Sequence, residues 1–328
     1  MKPITLDTKD KRILLELDRN SRQPISMIAK KVGLSKEVVN YRIKRQIEKG
    51  IIKGFHAIID PSKIGYTVYR IFIKFQNVTP EKEQEITAYF QSLSSVGWIA
   101  AYEGFYDLAV LFWAKDIYEF RQIYDDILNK YGDFFQEYYI SIVIHIFHFK
   151  HNYLFDSKDY SEALIGGKKE QADLDMLDLE ILKMLAEDAR KTTLDIGKKV
   201  KASPNTVKYR IKKLVESGVI VGFNTMIDAS LLGYQHYKVF IKMQKINKNT
   251  ISQLIEYLRL NKNTIYITDA IGLAHLEFEL QVKSSMELHN MLRAMRAKFP
   301  DLIKDCNPGL VFKEHRINYL PFPAGEKT

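Results

Sequence analysis

Apolar residues recur with a helical period in the stretch from Ser35 to Gly50. Val39, Ile43 and Ile47 follow one another at intervals of four, so they form one apolar stripe along a helix. Ser35 is a favoured N-cap residue, and Gly50 is a favoured residue just after a helix end. The other positions are mainly basic or polar. The pattern therefore predicts a helix that packs on a core with one face and leaves a basic face open.

Two further helices and one strand are predicted around this helix. The first helix runs from Leu6 to Asn20. A second helix, capped by Ser26, ends before Gly33, which can adopt the positive φ that a tight turn needs. An apolar strand from Ile51 to Asp60 follows. This order of elements is typical of a winged helix-turn-helix, in which the recognition helix enters the major groove of DNA.

From Tyr66 onward the chain is dominated by β-branched and aromatic runs that favour strands. Strands are predicted for Tyr66–Gln76, Val96–Glu103, Asp107–Trp113 and Glu137–Phe149, with helices from Pro80 to Leu93 and from Ile117 to Lys130. The order βαββαβ is the ferredoxin-like pattern, with an antiparallel sheet and both helices on one face. The other face of such a sheet is free to pair with a second sheet.

The whole pattern then occurs a second time, 168 residues further along. Tyr41–Lys44 and Tyr209–Lys212 both read Tyr-Arg-Ile-Lys, and Gly65-Tyr66 recurs as Gly233-Tyr234. The sequence therefore predicts an α+β protein with two winged helix-turn-helix domains and two ferredoxin-like βαββαβ domains in tandem. The predicted boundaries are 1–62 and 63–154 for the first pair, 155–172 for a polar linker, and 173–230 and 231–322 for the second pair.

The net charge of +9 is concentrated in the first helix-turn-helix unit. Residues 1–60 hold 14 Lys and Arg against 7 Asp and Glu, whereas residues 61–150 hold 8 against 11. The second helix-turn-helix unit, 173–228, holds 10 against 9. A localised basic surface is typical of nucleic-acid binding. Double-stranded DNA is therefore the predicted partner, with the second unit either binding DNA or mainly packing.

Other classes of protein are less consistent with the sequence. Cys306 is the only cysteine, so no disulfide can form within the chain, and a reducing, cytoplasmic location is expected. There is no uninterrupted apolar run of about 18 residues, so no membrane span is predicted. His145, His148 and His151 are spaced by three, which does not place them on one face of a strand. No metal site and no cofactor are predicted.

Both halves of the chain resemble the Lrp/AsnC family, also called feast/famine regulators. The resemblance rests on Val32–Ser35, on Glu48–Phe55, and on Asp60-Pro61 with Gly65. It implies a transcriptional regulator with an N-terminal winged helix-turn-helix and a C-terminal RAM-type sheet domain that binds a small effector such as an amino acid. Family members typically carry one copy and associate. The tandem form departs from that rule, although a homodimer or higher oligomer remains the expectation.

The candidate DNA contacts lie on and beside the two recognition helices. Amide side chains can read adenine, and Arg or Lys can read guanine or hold phosphate. The alternative is a basic face that is only solvated. The candidates are Ser35, Lys36, Asn40, Tyr41, Arg42, Lys44 and Arg45 in the first copy, and Ser203, Asn205, Lys208, Tyr209, Arg210 and Lys212 in the second.

A candidate effector site follows from the same resemblance. Gly104-Phe105-Tyr106-Asp107 is similar to the Gly-x-Tyr-Asp turn near which the family's effectors bind, so Gly104, Tyr106 and Asp107 are the candidate residues. The alternative is a hairpin turn in which the Asp107 carboxylate only caps the backbone. In the second copy His275 replaces the aspartate, so no ordinary amino-acid site is expected there.

Two other functions stay open on the sequence alone. Sirohaem decarboxylases are also built from two Lrp-like units, and His315 and Arg316 are the only hint of such an enzyme. A metabolite sensor that does not bind DNA is the other. The regulator is favoured because the basic recognition helix is intact. The sequence predicts that the two sheet domains pair within one chain or between chains, but it does not give the operator or the effector.

Overall fold

A computed structural model describes residues 3–244, 246–318 and 320, without the side chains of Lys248 and Arg316. The first unit consists of α1 (Thr8–Arg19), α2 (Ile25–Val32), α3 (Lys36–Glu48) and β1 (Ile52–Ile59). The Ser35 side chain accepts a hydrogen bond from the Val38 N–H, as expected of the N-cap of α3. The prediction that Ser26 caps α2 was wrong, because Pro24 occupies the N-cap position and already has an extended φ and ψ.

The first sheet domain has the predicted order of elements. It comprises β2 (Thr67–Phe75), α4 (Pro80–Ser92), β3 (Val96–Glu103), β4 (Leu108–Ala114), α5 (Ile117–Tyr131) and β5 (Phe135–Phe149). The strands are antiparallel in the order β5-β2-β4-β3. Ile71, Phe90, Phe112 and Phe120 belong to one buried cluster between the sheet and its two helices. This packing leaves the opposite face of the sheet free of helices.

The segment predicted to be a polar linker contains regular structure. It holds α6 (Asn152–Phe155) and a strand, β6 (Glu162–Gly166), which pairs antiparallel with the end of β5. Ala163 and Ile165 are buried against Ile58 of β1. The Gly166 N–H donates to the Asp60 carboxylate at 3.0 Å. The linker therefore contains an ordered strand that joins the first wing to the end of β5.

The second half repeats this plan. Its elements are α7 (Met176–Glu187), α8 (Thr193–Val200), α9 (Pro204–Glu216), β7 (Ile220–Ile227), β8 (Gln235–Met243), α10 (Lys248–Arg259), β9 (Thr264–Gly272), β10 (Leu276–Val282), α11 (Ser285–Lys298) and β11 (Ile303–Ile317). Its sheet has the equivalent order β11-β8-β10-β9. The predicted duplication is therefore present at the level of the fold.

The two sheets join within the chain and close into a ring of eight strands. Strand β3 pairs antiparallel with β11, and β5 pairs antiparallel with β9. Of the two arrangements that the sequence left open, pairing within one chain and pairing between chains, the structure shows the first, and the sheets meet edge to edge as well as through their faces. Edge pairing satisfies backbone groups that two stacked sheets would leave open. An eight-stranded ring has an interior just wide enough for side chains.

Aromatic side chains from both halves fill one part of the ring. The Phe72 ring lies edge-on to the Phe240 ring, with their centroids 5.1 Å apart. Tyr106 contacts both of them. Phe72 and Phe240 are equivalent positions of the two copies, so the interior is organised around the axis that relates the halves.

A buried network of charges occupies the adjoining part. The Glu277 carboxylate is fully buried and lies 2.7 Å from Nη1 of Arg70, which belongs to the other half, and 2.9 Å from Nζ of Lys238. Lys238 also lies 2.7 Å from Glu279, which in turn lies 2.9 Å from Nε2 of His236. Burial opposes ionisation of Glu279, but Lys238 and His236 outweigh it and hold its pKa well below the ordinary value. The network therefore ties the two halves together through charge.

The two winged units are also joined to each other. Strand β1 pairs antiparallel with β7, so the two wings form one two-stranded sheet. The Arg22 guanidinium lies over the Phe223 ring at 6.0 Å, and the equivalent Arg190 lies over Phe55 at 5.4 Å. Arg22 also donates to backbone carbonyls of the second unit. These reciprocal contacts fix the position of one recognition helix relative to the other.

Replacing Arg70 by Ala is expected to lower the free energy of unfolding by about 3–5 kcal/mol, because the buried Glu277 loses a bidentate partner. Urea denaturation followed by circular dichroism measures this change. Arg121→Ala is a matched control, since it removes an exposed arginine paired with Asp125 on α5, and little change is expected there. Equal shifts for the two variants would contradict a structural role for the network.

Candidate nucleic-acid interface

The exposed face of α3 carries most of the predicted DNA contacts. Lys36, Asn40, Tyr41 and Lys44 are exposed, and the Tyr41 side chain is 64% exposed. Ser35 is exposed as well, although its hydroxyl is used as the N-cap. The face therefore offers an amide, a phenol and two ammonium groups to solvent.

The buried face of α3 differs from the prediction at its C-terminal end. Val39 and Ile43 are buried as expected, but Ile47 is 44% exposed and Gln46 is buried in its place. An interval of exactly four residues drifts round a helix of 3.6 residues per turn, so the third member of the stripe leaves the core. The apolar face is consequently shorter than the sequence pattern indicated.

Two arginines of the predicted contact set are held against the first helix. The Arg42 guanidinium lies 2.7 Å from the Asp7 carboxylate and 2.8 Å from Asp10 at the start of α1, and Arg45 lies 2.7 Å from Asp10. Asp10 is only 3% exposed. The sequence analysis placed both arginines among the DNA-facing residues. The structure shows them half-buried in a clamp between α1 and α3, and any DNA contact by them stays a prediction.

The second copy repeats this clamp with one change. Arg210 lies 2.7 Å from Asp175 and 3.0 Å from Asp178, which are the equivalents of Asp7 and Asp10. Lys213 stands where the first copy has Arg45. Within the described part of the chain, Oδ1 of the buried Asp178 has no hydrogen-bond partner, so this clamp is weaker. The sequence carries Asp7 and Asp10 among the motifs shared with the Lrp/AsnC family, but their pairing with the arginines was not predicted, although their recurrence in both copies was a usable signal.

Helix α9 presents a similar exposed face. Ser203 accepts from the Thr206 N–H at 3.0 Å and so caps the helix, as Ser35 does in the first copy. Asn205, Lys208, Tyr209 and Lys212 are exposed, and Lys212 lies 3.4 Å from Glu216 on the same helix. The second unit therefore packs through its wing while its recognition helix remains accessible.

The predicted effector residues form a closed turn. Oδ1 of Asp107 lies 2.7 Å from Nζ of Lys74, and Oδ2 accepts from the Phe75 N–H at 2.7 Å. Tyr106 is buried, and burial raises the pKa of its phenol. Gly104 has a φ of 137°, which a side chain would rarely adopt. The geometry fits the alternative of a turn that the aspartate caps, while the effector role stays a prediction.

The second copy supports the same interpretation. Nδ1 of His275 accepts from the Met243 N–H at 3.0 Å. His275 and Met243 are the equivalents of Asp107 and Phe75. A histidine nitrogen thus makes the backbone hydrogen bond that the carboxylate makes in the first copy. Both side chains accept a hydrogen bond from the backbone at this turn. This shared role explains why a histidine can stand in the second copy where the first copy has an aspartate.

The remaining histidines from the sequence analysis lie apart from one another. Nδ1 of His145 faces Asp269 at 3.5 Å, the His148 ring stacks on Tyr266, and His151 lies 2.7 Å from Asp18. Burial lowers the pKa of His148 to about 3, so its ring is neutral near pH 7. Each ring has its own protein partner, and the three do not converge on one point.

His315 lines a cleft of about 550 Å³ between the second wing and the barrel. Lys53, His236 and Lys313 also line it, but Lys53 lies 2.7 Å from Asp228 and His236 is paired with Glu279. Burial and the nearby Lys313 lower the pKa of His315, which keeps its ring neutral at pH 7. The side chain of Arg316 lies outside the described residues.

Arg42→Ala is expected to lower the free energy of unfolding by about 1–3 kcal/mol, because Asp10 is buried and loses a charged hydrogen-bond donor. A thermal melt of the free protein measures the effect. Lys44→Ala removes a positive charge two residues away, on the exposed face, and should leave the melting temperature unchanged. If the two variants melt alike, the clamp is not structural.

Two helix-turn-helix units with paired wings define a winged helix-turn-helix DNA-binding protein. A family model described as winged helix-turn-helix DNA-binding matches the chain twice, at residues 6–53 and 174–221. The HTH-type transcriptional regulator LrpA of Pyrococcus horikoshii is 34% identical over 127 residues, which cover 39% of this chain and 86% of LrpA. The HTH-type transcriptional regulator Ptr1 of Methanocaldococcus jannaschii is 35% identical over 34% of this chain and 74% of its own. The chain belongs to the Lrp/AsnC family of transcriptional regulators.

A solved structure shares the two-unit architecture. The sirohaem decarboxylase NirDL aligns over 97% of this chain and 95% of its own, with a TM-score of 0.65 and 14% sequence identity. At this identity the similarity concerns the fold. In the described residues of the present chain, no helix is long and apolar enough to cross a membrane.

Proposed function

We propose that this protein is a transcriptional regulator that binds duplex DNA with both recognition helices of one chain, and that it responds to a small molecule. The observation that carries the proposal is the pair of exposed, N-capped helices α3 and α9 on units whose wings form one sheet. A single-copy relative needs two chains to present two such helices. Here one chain presents them, and further association into a homodimer in the cytoplasm would add a second pair.

The chemistry of α3 suits both kinds of DNA contact. The Asn40 amide is exposed and can form paired hydrogen bonds with adenine in the major groove. Lys36 and Lys44 are exposed ammonium groups that can hold phosphate or read guanine. The clamp at Arg42 fixes the angle at which this face is presented.

The second helix carries different groups at matching positions. Pro204 stands where the first copy has Lys36, and Lys208 stands where it has Asn40. An amide and an ammonium group favour different base edges. We therefore propose that the two halves of the DNA site differ in sequence, so that the operator is asymmetric.

The DNA contacts are tested by separate substitutions on α3. Lys44→Ala should weaken binding to all duplexes and reduce the slope of log K against log salt by about 0.9, the value for one lost phosphate contact. Asn40→Ala should cost about 1–3 kcal/mol on the preferred sequence alone. Fluorescence anisotropy over a salt series, on an operator found by binding-site selection, measures both.

The control is Lys82→Ala, which removes the same charge from α4 of the first sheet domain. It should change neither the affinity nor the salt slope. A wild-type protein whose binding is insensitive to salt, or an Lys44→Ala variant with an unchanged slope, would refute DNA binding through this face.

The cleft lined by His315 makes a sirohaem-type enzyme the second candidate. Its volume of about 550 Å³ is in the range of ligand pockets. Its charge argues for the regulator, because Lys53 and His236 are already paired with carboxylates and the His315 ring is neutral. The exposed Lys313 remains, and the neighbouring Glu314 in the same lining offsets its charge. Sirohaem carries several carboxylates and needs uncompensated cations.

We expect sirohaem added to the purified protein to give the Soret spectrum of the free compound. The measurement is a difference absorption spectrum across a titration, with the His315→Ala variant as the comparison. A saturable Soret shift that His315→Ala abolishes would favour the enzyme over the regulator.

A further inference from the structure

A cavity of about 110 Å³ lies where the two halves of the barrel meet the first wing. Leu111 and Trp113 of the first sheet line it together with Lys238 and Tyr266 of the second. Ile59 of the wing strand and Ile165 of the linker strand also line it. The cavity does not include the Gly104–Asp107 turn, and it adjoins the cleft at His315, with which it shares Glu314 and Ile317.

Two buried N–H groups at this cavity lack acceptors. Within the described residues, neither Nε1 of Trp113 nor Nε of Arg70 has a hydrogen-bond partner. Trp113 is 8% exposed and Arg70 is 3% exposed, so bulk water does not serve them. An unsatisfied buried donor costs about 1–3 kcal/mol. Both groups are donors only, so a molecule in the cavity must bring acceptor atoms.

The position of the Trp113 indole is set by its neighbour Gly97. A methyl group at residue 97 would lie 2.4 Å from Nε1 of Trp113, so only glycine lets the ring lie flat against the backbone there. Gly97 lines the cavity beside the indole. The unpartnered N–H therefore belongs to a tightly placed ring.

Of the two carboxylates around the cavity, one is paired with cations and the other is exposed to solvent. Glu279 is bound by Lys238 and His236. Glu314 accepts from Nε1 of Trp98 at 2.9 Å. Among the described residues that line the cavity, these are the carboxylates, so neither is without a partner. The charge of Glu279 is balanced and Glu314 is exposed, so solvent screens its charge and an anion meets little repulsion. An ammonium group would find both oxygens of the buried Glu279 already occupied.

The rest of the wall is apolar. Leu111, Ile146 and Ile165 supply aliphatic surface, and the Trp98 ring, with Nζ of Lys238 at 5.9 Å from its centroid, supplies an aromatic one. Short aliphatic groups bury well against such surfaces. The volume of about 110 Å³ is below that of an engineered cavity of about 150 Å³ that holds benzene, so the space suits about four to five non-hydrogen atoms.

We propose that this cavity binds a small aliphatic monocarboxylate without an ammonium group, with its carboxylate facing Trp113 and Arg70. The binding site goes beyond the proposed DNA contacts and does not depend on them. Ile59 and Ile165 connect it to the wing and the linker. A bound molecule would therefore contact the wing strand and the linker strand, which hold the first recognition unit against the ring. Any effect of this contact on DNA recognition rests on the proposed function.

The test uses the full chain without DNA, so its failure and the failure of DNA binding are distinguishable. Isothermal titration calorimetry is run with straight and branched aliphatic carboxylates of two to four carbons, and with the matching amino acids. We expect saturable binding of a carboxylate and at least tenfold weaker binding of the matching amino acid.

The two tryptophans of the chain, Trp98 and Trp113, provide a readout that needs no substitution. In a ¹⁵N-correlated spectrum, the bound carboxylate should move the indole N–H signal of Trp113 downfield. The signal of Trp98, whose N–H is already bonded to Glu314, should move less. Trp113→Phe assigns the two signals and should weaken binding at least tenfold.

Leu111→Phe fills the cavity without altering a donor and should also abolish binding. Arg121→Ala is the matched control, because it removes an exposed side chain on α5 in the same half, away from the cavity, and should leave carboxylate binding unchanged. The proposal is overturned if no carboxylate binds, which would mean that the cavity holds water alone. It is equally overturned if binding moves neither indole signal, or survives both Trp113→Phe and Leu111→Phe.

Discussion

The buried contact between Arg70 and Glu277 is the interaction on which the arrangement of this chain depends. It joins the first strand of one sheet to the third strand of the other, inside a ring that a single polypeptide closes. Two charges in that interior are tolerable only while they are paired. The paired wings are held over the ring by the linker strand β6, so the position of both recognition helices follows from the closure of the ring.

Sequence periodicity predicted the elements well because each helix and strand has a local signal. Ser35, Pro80 and the alternating runs mark where elements begin, and the repeat doubles every signal. Contacts between elements that are distant in the sequence have no such local signal. Arg42 looked like a DNA contact because helical spacing cannot show that Asp7 and Asp10, more than thirty residues earlier, reach it. The strand β6 was missed for the same reason, since its pairing partner is the end of β5.

Asp107 and His275 show that two equivalent positions can have the same physical requirement although their side chains differ in chemistry. Both side chains accept one backbone N–H at the same turn, and the requirement is met by a carboxylate oxygen or an imidazole nitrogen. From residue types alone, Asp107 is interpreted as part of a ligand site and His275 as the loss of that site. Each side chain closes its turn through that hydrogen bond, whereas the buried indole N–H of Trp113 has no acceptor among the described residues.

Fusing the two units in one chain removes a constraint that binds a symmetric dimer. In a homodimer each interior residue appears twice around the axis. Here Glu277 and Glu279 stand opposite Ala109 and Leu111 at the equivalent positions, and Arg70 is matched by Lys238. In a symmetric dimer each of these positions would occur twice. The two cations would then be identical, and either four carboxylates or none would surround them. The tandem chain instead balances two cations with two carboxylates on one side and keeps the other side apolar, so the cavity beside this network has one polar end. The same freedom lets Asn40 and Lys208 differ on the two recognition helices.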